Sequence, residues 1–360
     1  MKIRRHSKEY NFIGDTLTGT TFRWGESFDK NPQHAPWPEL ADISISNHCT
    51  KGCDFCYRDS KQNYSFMSLN DYEYLIKQLQ HPYWGNVFQV ALGGGEPLEH
   101  PDFMKIIDTT IAYGVIPNFT TNGRYLTNDK IIKLKDKVGA IAISTIDIRT
   151  IDKDIIENLK KKGIKCNLHY VLNYHNIKQA IDILYGKYNQ YLQCANSIIF
   201  LTYKPSGRAD NSRILKMDQN FLNFINVVEN NLCSTRIGFD ACFVPMLMHH
   251  TNVDLKYIDP CECAFFSVYI DEKLRMSPCS FSNNKEFTYS IKEYSIEYTW
   301  TVLFGKYRDL LNNNCIRECK NRTECRGSCP YFDDITLCYI PDSAMEPSYA
   351  DRLVQSGKKY

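Results

Sequence analysis

The sequence predicts an α/β protein with a parallel sheet and a small, irregular, cysteine-rich C-terminal domain. Two observations carry this. Strand-like and helix-like runs alternate from about residue 40 to 205, and nine cysteines crowd the stretch from Cys242 to Cys338. Alternation of this kind reads as βα units, in which each parallel strand returns through an outer helix.

The strands are expected at Asp42–Asn47, Val87–Leu92, Ile116–Thr121, Ala140–Thr145, Lys165–Leu172 and Ser197–Thr202. Between them the spacing predicts helices near Ser68–Gln80, Pro101–Tyr113, Asn128–Lys137, Thr150–Lys162 and Asn176–Tyr188. Ser68 and Asn128 are expected N-caps, and Gly114 and Gly163 expected helix stops. The run Lys160-Lys161-Lys162 closes a helix, where cations suit the dipole. The domain reading is an N-terminal extension over 1–39, an α/β unit over 40–232, a cysteine-rich domain over 233–345 and a tail over 346–360.

Composition bounds the function. Lys plus Arg is 43 against 41 for Asp plus Glu, so the chain lacks the basic footprint of a nucleic-acid binder. No signal peptide and no apolar run of membrane-span length is visible, which predicts a soluble, cytoplasmic protein. Fifteen cysteines in a reducing compartment argue for metal rather than disulfides.

The chemistry concentrates in two short segments. Cys49, Cys53 and Cys56 follow the first strand on one tight loop, in Cys-Thr-Lys-Gly-Cys-Asp-Phe-Cys-Tyr. Iron–sulfur clusters ordinarily take four thiolates, so three close ligands without a near fourth leave one iron open to chemistry. Zinc is the alternative for such spacing, but it asks for four ligands. The second strand runs into Gly93-Gly94-Gly95-Glu96-Pro97. Glycines permit close approach of a backbone to a ligand, and Glu96 offers an acceptor for a cationic amine. The segment lacks the Gly-Lys-Ser/Thr of a phosphate loop.

Together, Cys-x3-Cys-x-Phe-Cys and Gly-Gly-Glu-Pro resemble the radical S-adenosylmethionine (SAM) superfamily. The resemblance implies a partial (β/α)6 barrel, with its site at the C-terminal ends of the strands. It implies that Cys49, Cys53 and Cys56 hold a [4Fe–4S] cluster whose open iron takes SAM. Phe55 and Tyr57 would lie beside the nucleoside, while Gly94, Gly95 and Glu96 would hold the methionyl amine. Asn122, Ser144 and Asn173, at other strand ends, are candidates for the ribose or carboxylate; each is equally a common turn or cap residue. Pro205-Ser206-Gly207-Arg208-Ala209 resembles a Gly-Arg-Ala segment of the same superfamily.

Met276-Ser277-Pro278-Cys279 and Cys325-Arg326-Gly327-Ser328-Cys329-Pro330 resemble the SPASM extension that carries auxiliary clusters. Two departures are visible: the Cys315-x3-Cys319 gap, and the absence of the usual glycine before Pro-Cys. The resemblance implies one auxiliary [4Fe–4S] cluster on Cys261, Cys263, Cys279 and Cys329, with Cys242 an alternative to Cys261. A second would use Cys315, Cys319, Cys325 and Cys338. Two structural zinc ions are the alternative occupants. Cys166, Cys194 and Cys233 read as buried small hydrophobes, with one of them or Cys242 a candidate hydrogen-atom donor.

The implied activity is radical modification of a peptide or protein, typically a short precursor peptide, by crosslinking, epimerisation or side-chain oxidation. A flavodoxin or ferredoxin would supply the electron. Action on a sugar, nucleoside or amino acid is the alternative. A non-catalytic iron–sulfur or zinc adaptor is a third reading, and it has no use for the Gly-Gly-Glu turn.

Overall fold

The computed structural model describes residues 2–282, 285–312, 325–327, 329–332 and 334–338. Cys315, Cys319 and the tail over 346–360 lie outside the described residues.

The N-terminal segment folds into a three-stranded antiparallel sheet, β1 (Lys2–His6), β2 (Asn11–Asp15) and β3 (Thr21–Trp24), in that order. The strands that follow are β4 (Leu40–Ser46), β7 (Gln89–Gly94), β8 (Ile116–Thr121), β9 (Ala140–Thr145), β10 (Lys165–Leu172) and β11 (Ser197–Thr202). A short hairpin of β5 (Gln80–His81) and β6 (Gly85–Asn86) precedes β7. All six predicted strands are present and pair in parallel, β4 beside β7, then β8, β9, β10 and β11.

The sheet continues beyond the predicted six. β12 (Arg236–Phe239) adds in parallel to β11 at one edge. β13 (Ser267–Ile270) adds in parallel to β4 at the other, followed by antiparallel β14 (Arg275–Ser277) and β15 (Tyr289–Ser290). The ten-stranded sheet therefore carries the first cysteine-rich segments on its own edge, a continuity that the irregular C-terminal sequence conceals.

The helices are α1 (Leu69–Gln78), α2 (Phe103–Ala112), α3 (Asn128–Leu134), α4 (Lys153–Lys161), α5 (Ile177–Leu184), the short α6 (Asn189–Leu192), α7 (Gln219–Glu229), α8 (Val244–His250), the single turn α9 (Ile296–Tyr298) and α10 (Phe304–Asn312). Ser68 caps α1 by accepting from the Asp71 N–H. For α3 the cap is Thr127 rather than Asn128, because the Thr127 hydroxyl accepts from Lys130 N–H. The Asn128 amide oxygen accepts from Asn158 instead. Gly114 and Gly163, both at positive φ, follow the ends of α2 and α4 as expected.

Period-two patterning sorts the sheet's two faces. Ala41, Ile43 and Ile45 of β4, and Leu168, Tyr170 and Leu172 of β10, are fully buried in the apolar core that packs the helices. The alternate residues Asp42 and Ser44 of β4, and Asn167 and His169 of β10, are more polar and form the concave face. A cavity of about 730 Å³ opens at the N-terminal end of this face, and it reaches Thr120, Ala142 and His169 at mid-strand.

Candidate active site

The cysteine loop leaves β4 at Ser46, and the Gly-rich turn leaves the neighbouring β7 at Gly94, so parallel pairing brings both to one end of the sheet. The contact between them is direct. Gly95 N–H donates to Ser46 O at 2.6 Å, and Glu96 N–H donates to His48 O at 2.9 Å. A Cβ on Gly94 would lie 2.1 Å from Ser46 O, and one on Gly95 would lie 2.0 Å from His48 O. Gly94 also sits at φ +107°, a region that favours glycine. These glycines are thus required by the backbone of the cysteine loop itself.

Glu96 is 1 % exposed, and its carboxylate is engaged by the fold. It accepts from Leu98 N–H (3.1 Å), the Thr121 hydroxyl (2.7 Å) and Asn122 N–H (2.8 Å). Burial pushes its pKa up, and these donors pull it back. Glu96 therefore welds the end of β7 to the end of β8. His48 turns away from the thiols: its Nε2 meets Glu99 at 2.9 Å, and its ring packs on Phe66.

Cys49, Cys53 and Cys56 carry free, half-buried thiols within electrostatic reach of one another. Burial pushes the Cys49 and Cys53 thiols up, so a cationic centre is needed to hold the set as thiolates. The donor set fits an iron–sulfur cluster in chemistry and spacing. Among the described residues, no three His, Cys, Asp or Glu side chains close around a single ion. A cubane, whose ligands bind separate irons, asks for a wider spread.

The loop is clamped from β11. Arg208 donates from its backbone N–H to Cys56 O and from Nε to Cys53 O, both at 2.9 Å, and from Nη1 to Ser60 O and Asp59. Gly207 lies flat against Cys56 and Tyr57, where a Cβ would meet Tyr57 O at 2.5 Å. The Pro-Ser-Gly-Arg-Ala segment is thus a structural clip on the cysteine loop.

Arg58, two residues beyond Cys56, ties the loop to the cysteine-rich region. Its Nη2 pairs with Glu272 at 2.7 Å, its Nη1 donates to the Tyr269 hydroxyl, and Ser44 donates to the same carboxylate at 3.2 Å. Beside it, burial pushes Asp42 up to about 6, with Arg58 opposing. Tyr57 packs against Phe281, with ring centroids 4.5 Å apart and the planes tilted by 37°. Phe55 is half-buried.

The other candidates scatter around the strand ends. Asn122 and Asn173 use their amide oxygens in local turns, accepting from Arg124 N–H and His175 N–H. Ser144 stands in register with His169 on the concave face. Burial lowers the His169 pKa to about 4, so its imidazole is neutral at physiological pH. Sequence reasoning missed His169; the polar alternation Asn167, His169 within β10 was the available signal.

In the cysteine-rich region, the Cys263 side chain lies close enough to those of Cys261 and Cys279 to interact with both. The side chains of Cys242 and Cys329 interact in the same way, and the pairing draws the Cys329 thiol down to about 7. Four implied ligands and the alternative Cys242 therefore converge as linked pairs. Cys325 is buried, and Cys338 lies on the stretch that accepts from His250. Cys166 is buried in the core, and burial pushes it up to about 12, as an inert small hydrophobe requires. Cys194 and Cys233 pack against the core.

Residues 43–154 match the family model described as "Radical SAM superfamily". The chain resembles a S-adenosylmethionine-dependent nucleotide dehydratase of Selenomonas ruminantium, 24 % identical over 39 % of this chain and 49 % of the relative. It also resembles mycofactocin maturase MftC of Mycobacterium tuberculosis (strain CDC 1551 / Oshkosh), 32 % identical over 24 % of this chain and 22 % of the relative. The chain spans half or less of these relatives' lengths. In fold it resembles Streptococcus suis SuiB bound to S-adenosylmethionine, with a TM-score of 0.68 at 14 % identity over 95 % of this chain and 98 % of that one. SuiB bound to precursor peptide SuiA gives 0.68 at 13 % identity, covering 96 % and 100 %. The interlocked cysteine loop and Gly-Gly-Glu turn fall inside the stretch, residues 43–154, that resembles the radical SAM superfamily.

Proposed function

We propose that this protein is a radical SAM enzyme that abstracts hydrogen from a peptide or protein substrate. The observation that carries the reading is the interlock at the end of β4 and β7, where the three-thiol loop and the Gly-Gly-Glu turn share hydrogen bonds. In this reading Cys49, Cys53 and Cys56 hold a [4Fe–4S] cluster. Held by these thiolates, a reduced cluster would supply reductive cleavage of SAM, chemistry that belongs to the cofactor.

The chain's own residues orient and exclude. Arg208 and Gly207 hold the cysteine loop, Glu96 fixes the turn that borders it, and Phe55 and Tyr57 wall one side. The backbone of Gly94 and Gly95 would receive the methionyl amine, with Asn122, Ser144 and Asn173 as further polar contacts. The neutral His169 imidazole stands in register with Ser144 and borders the 730 Å³ cavity, which opens at the end of the sheet opposite the cysteine loop.

Cys261, Cys263, Cys279 and Cys329 would hold one auxiliary cluster, and Cys325 and Cys338 with Cys315 and Cys319 a second, in a SPASM-type domain. A flavodoxin or ferredoxin would deliver electrons. Likeness in fold to SuiB with its bound precursor peptide, and in sequence to a mycofactocin maturase, supports a peptide substrate. Likeness to a nucleotide dehydratase favours a second reading, in which the same chemistry acts on a nucleotide or another small molecule. No helix among the described residues is long and apolar enough to cross a membrane.

Replacing Cys49, Cys53 and Cys56 together by alanine tests the ligand split. Expected is loss of 5′-deoxyadenosine formation with retention of iron on the C-terminal cysteines. Loss of all iron, or of none, contradicts the assignment. A mass change in a short peptide encoded beside the gene, on co-expression, separates the peptide from the small-molecule reading.

A further inference from the structure

Behind β11 the structure buries an ammonium group that the chemistry described so far leaves without a task. Lys204 is 7 % exposed, and its Nζ donates to Thr202 O at 3.2 Å and Asp240 at 3.0 Å. Asp240, at the end of β12, also accepts from the Thr202 N–H and hydroxyl. A charge buried this deeply is costly unless paired, and the pairing here is with a single carboxylate.

The position of that charge is telling. Nζ lies 4.6 Å from the centre of the Phe281 ring. Phe281 donates its backbone N–H to the Cys279 sulfur at 3.4 Å, and its ring packs against Tyr57 beside the cysteine loop. From the other side, the Lys204 charge acts on the Cys242 and Cys329 thiols, which lie side by side. Lys204 therefore stands within electrostatic reach of Cys329 and Cys242, against a ring whose backbone meets Cys279 and whose face meets Tyr57 of the first cysteine loop.

We propose that Lys204 is a positioning residue for the auxiliary cluster, setting its reduction potential through charge, with Asp240 as the counterweight. The proposal rests on the reading that Cys279 and Cys329 ligate such a cluster. One-electron reduction adds a negative charge to a [4Fe–4S] cluster without breaking a bond. A nearby cation stabilises the reduced form, and net charge is one of the factors that set cluster potentials. Removing Lys204 makes reduction harder; removing Asp240, which unmasks the ammonium, makes it easier.

The test is a potentiometric titration with dithionite, read by electron paramagnetic resonance. It uses the full chain in the Cys49→Ala/Cys53→Ala/Cys56→Ala background, so that only C-terminal clusters report. Lys204→Met is expected to lower the equilibrium constant for reduction about tenfold, a fall of about 59 mV for one electron. Asp240→Asn is expected to move it the opposite way, and Lys204→Arg to leave it close to the parent. Opposite signs from the two partners mark charge, because a packing defect would shift both alike. Should Lys204→Met fail to fold, the upward shift in Asp240→Asn decides. Unchanged potentials with iron in place overturn the role of Lys204. Absence of iron from the triple-alanine parent overturns the auxiliary-cluster reading beneath it.

Discussion

Replacing Arg58 by methionine removes one partner of a buried ion pair and leaves the other in place. The Arg58 side chain is 12 % exposed, Glu272 is 4 % exposed, and they meet at 2.7 Å. In the variant, Ser44 remains as a donor to the Glu272 carboxylate. Breaking a buried pair from one side costs about 3–5 kcal/mol, because an uncompensated charge stays buried. A 360-residue chain unfolding as a unit has an unfolding entropy of roughly 0.8 kcal/mol/K, so about 4 kcal/mol lowers the midpoint by about 5 °C. Adding Glu272→Met removes the orphaned charge, and the double variant is expected to regain at least half of the loss. The assay is thermal unfolding of the anaerobically purified protein, followed by circular dichroism, for both single variants and the double. A drop below about 1 °C in Arg58→Met, or strictly additive losses in the double, would refute the claim that this pair ties the cysteine loop to β13 and β14.

Three further outcomes are expected. Gly95→Ala places a Cβ 2.0 Å from His48 O and displaces the cysteine loop, so iron bound after reconstitution falls to the level held by the C-terminal cysteines; parent-level iron contradicts it. Glu96→Ala strips the acceptor from three donors at once and costs roughly 3 kcal/mol or more, read by denaturant unfolding. Loss of SAM binding without loss of stability would make Glu96 a ligand rather than a weld. For Asp42, the folded pKa of about 6 lies above its ordinary value of 3.8, so its contribution to stability is present below 3.8 and lost as pH rises through 6. Asp42→Asn is therefore expected to exceed the parent in stability by up to about 3 kcal/mol above pH 7, with the gap closing by pH 4. A gap that does not change with pH would remove Asp42 from the account.

The six inner strands were legible because each carries a clean apolar period bounded by glycine or polar turns. β1 to β3 were not: Lys2–His6 is charged along its length, and Thr21–Trp24 is too short and exposed to show a buried face. β12 and β13 are four residues each, and what makes them strands is an edge of β11 or β4 already in place. The cysteine loop and the Gly-Gly-Glu turn were legible for a different reason, since their spacing is local and their residue types are demanding. The role of Glu96 was not, because its three donors include two from β8 and the residue after it. Lys204 and Asp240 are 36 positions apart, and single polar residues whose partners arrive through topology leave no mark on local pattern. Arg208 is the intermediate case: its segment stood out in sequence, while its grip on Cys53 and Cys56 emerged only from the fold.

Iron and sulfide content of the anaerobically reconstituted chain, with 5′-deoxyadenosine scored after adding dithionite and SAM, tests the central claim most directly. About twelve irons per chain are expected, as three cubanes require, together with 5′-deoxyadenosine that disappears in the Cys49→Ala/Cys53→Ala/Cys56→Ala variant. Bound zinc, without iron and without 5′-deoxyadenosine, would contradict it.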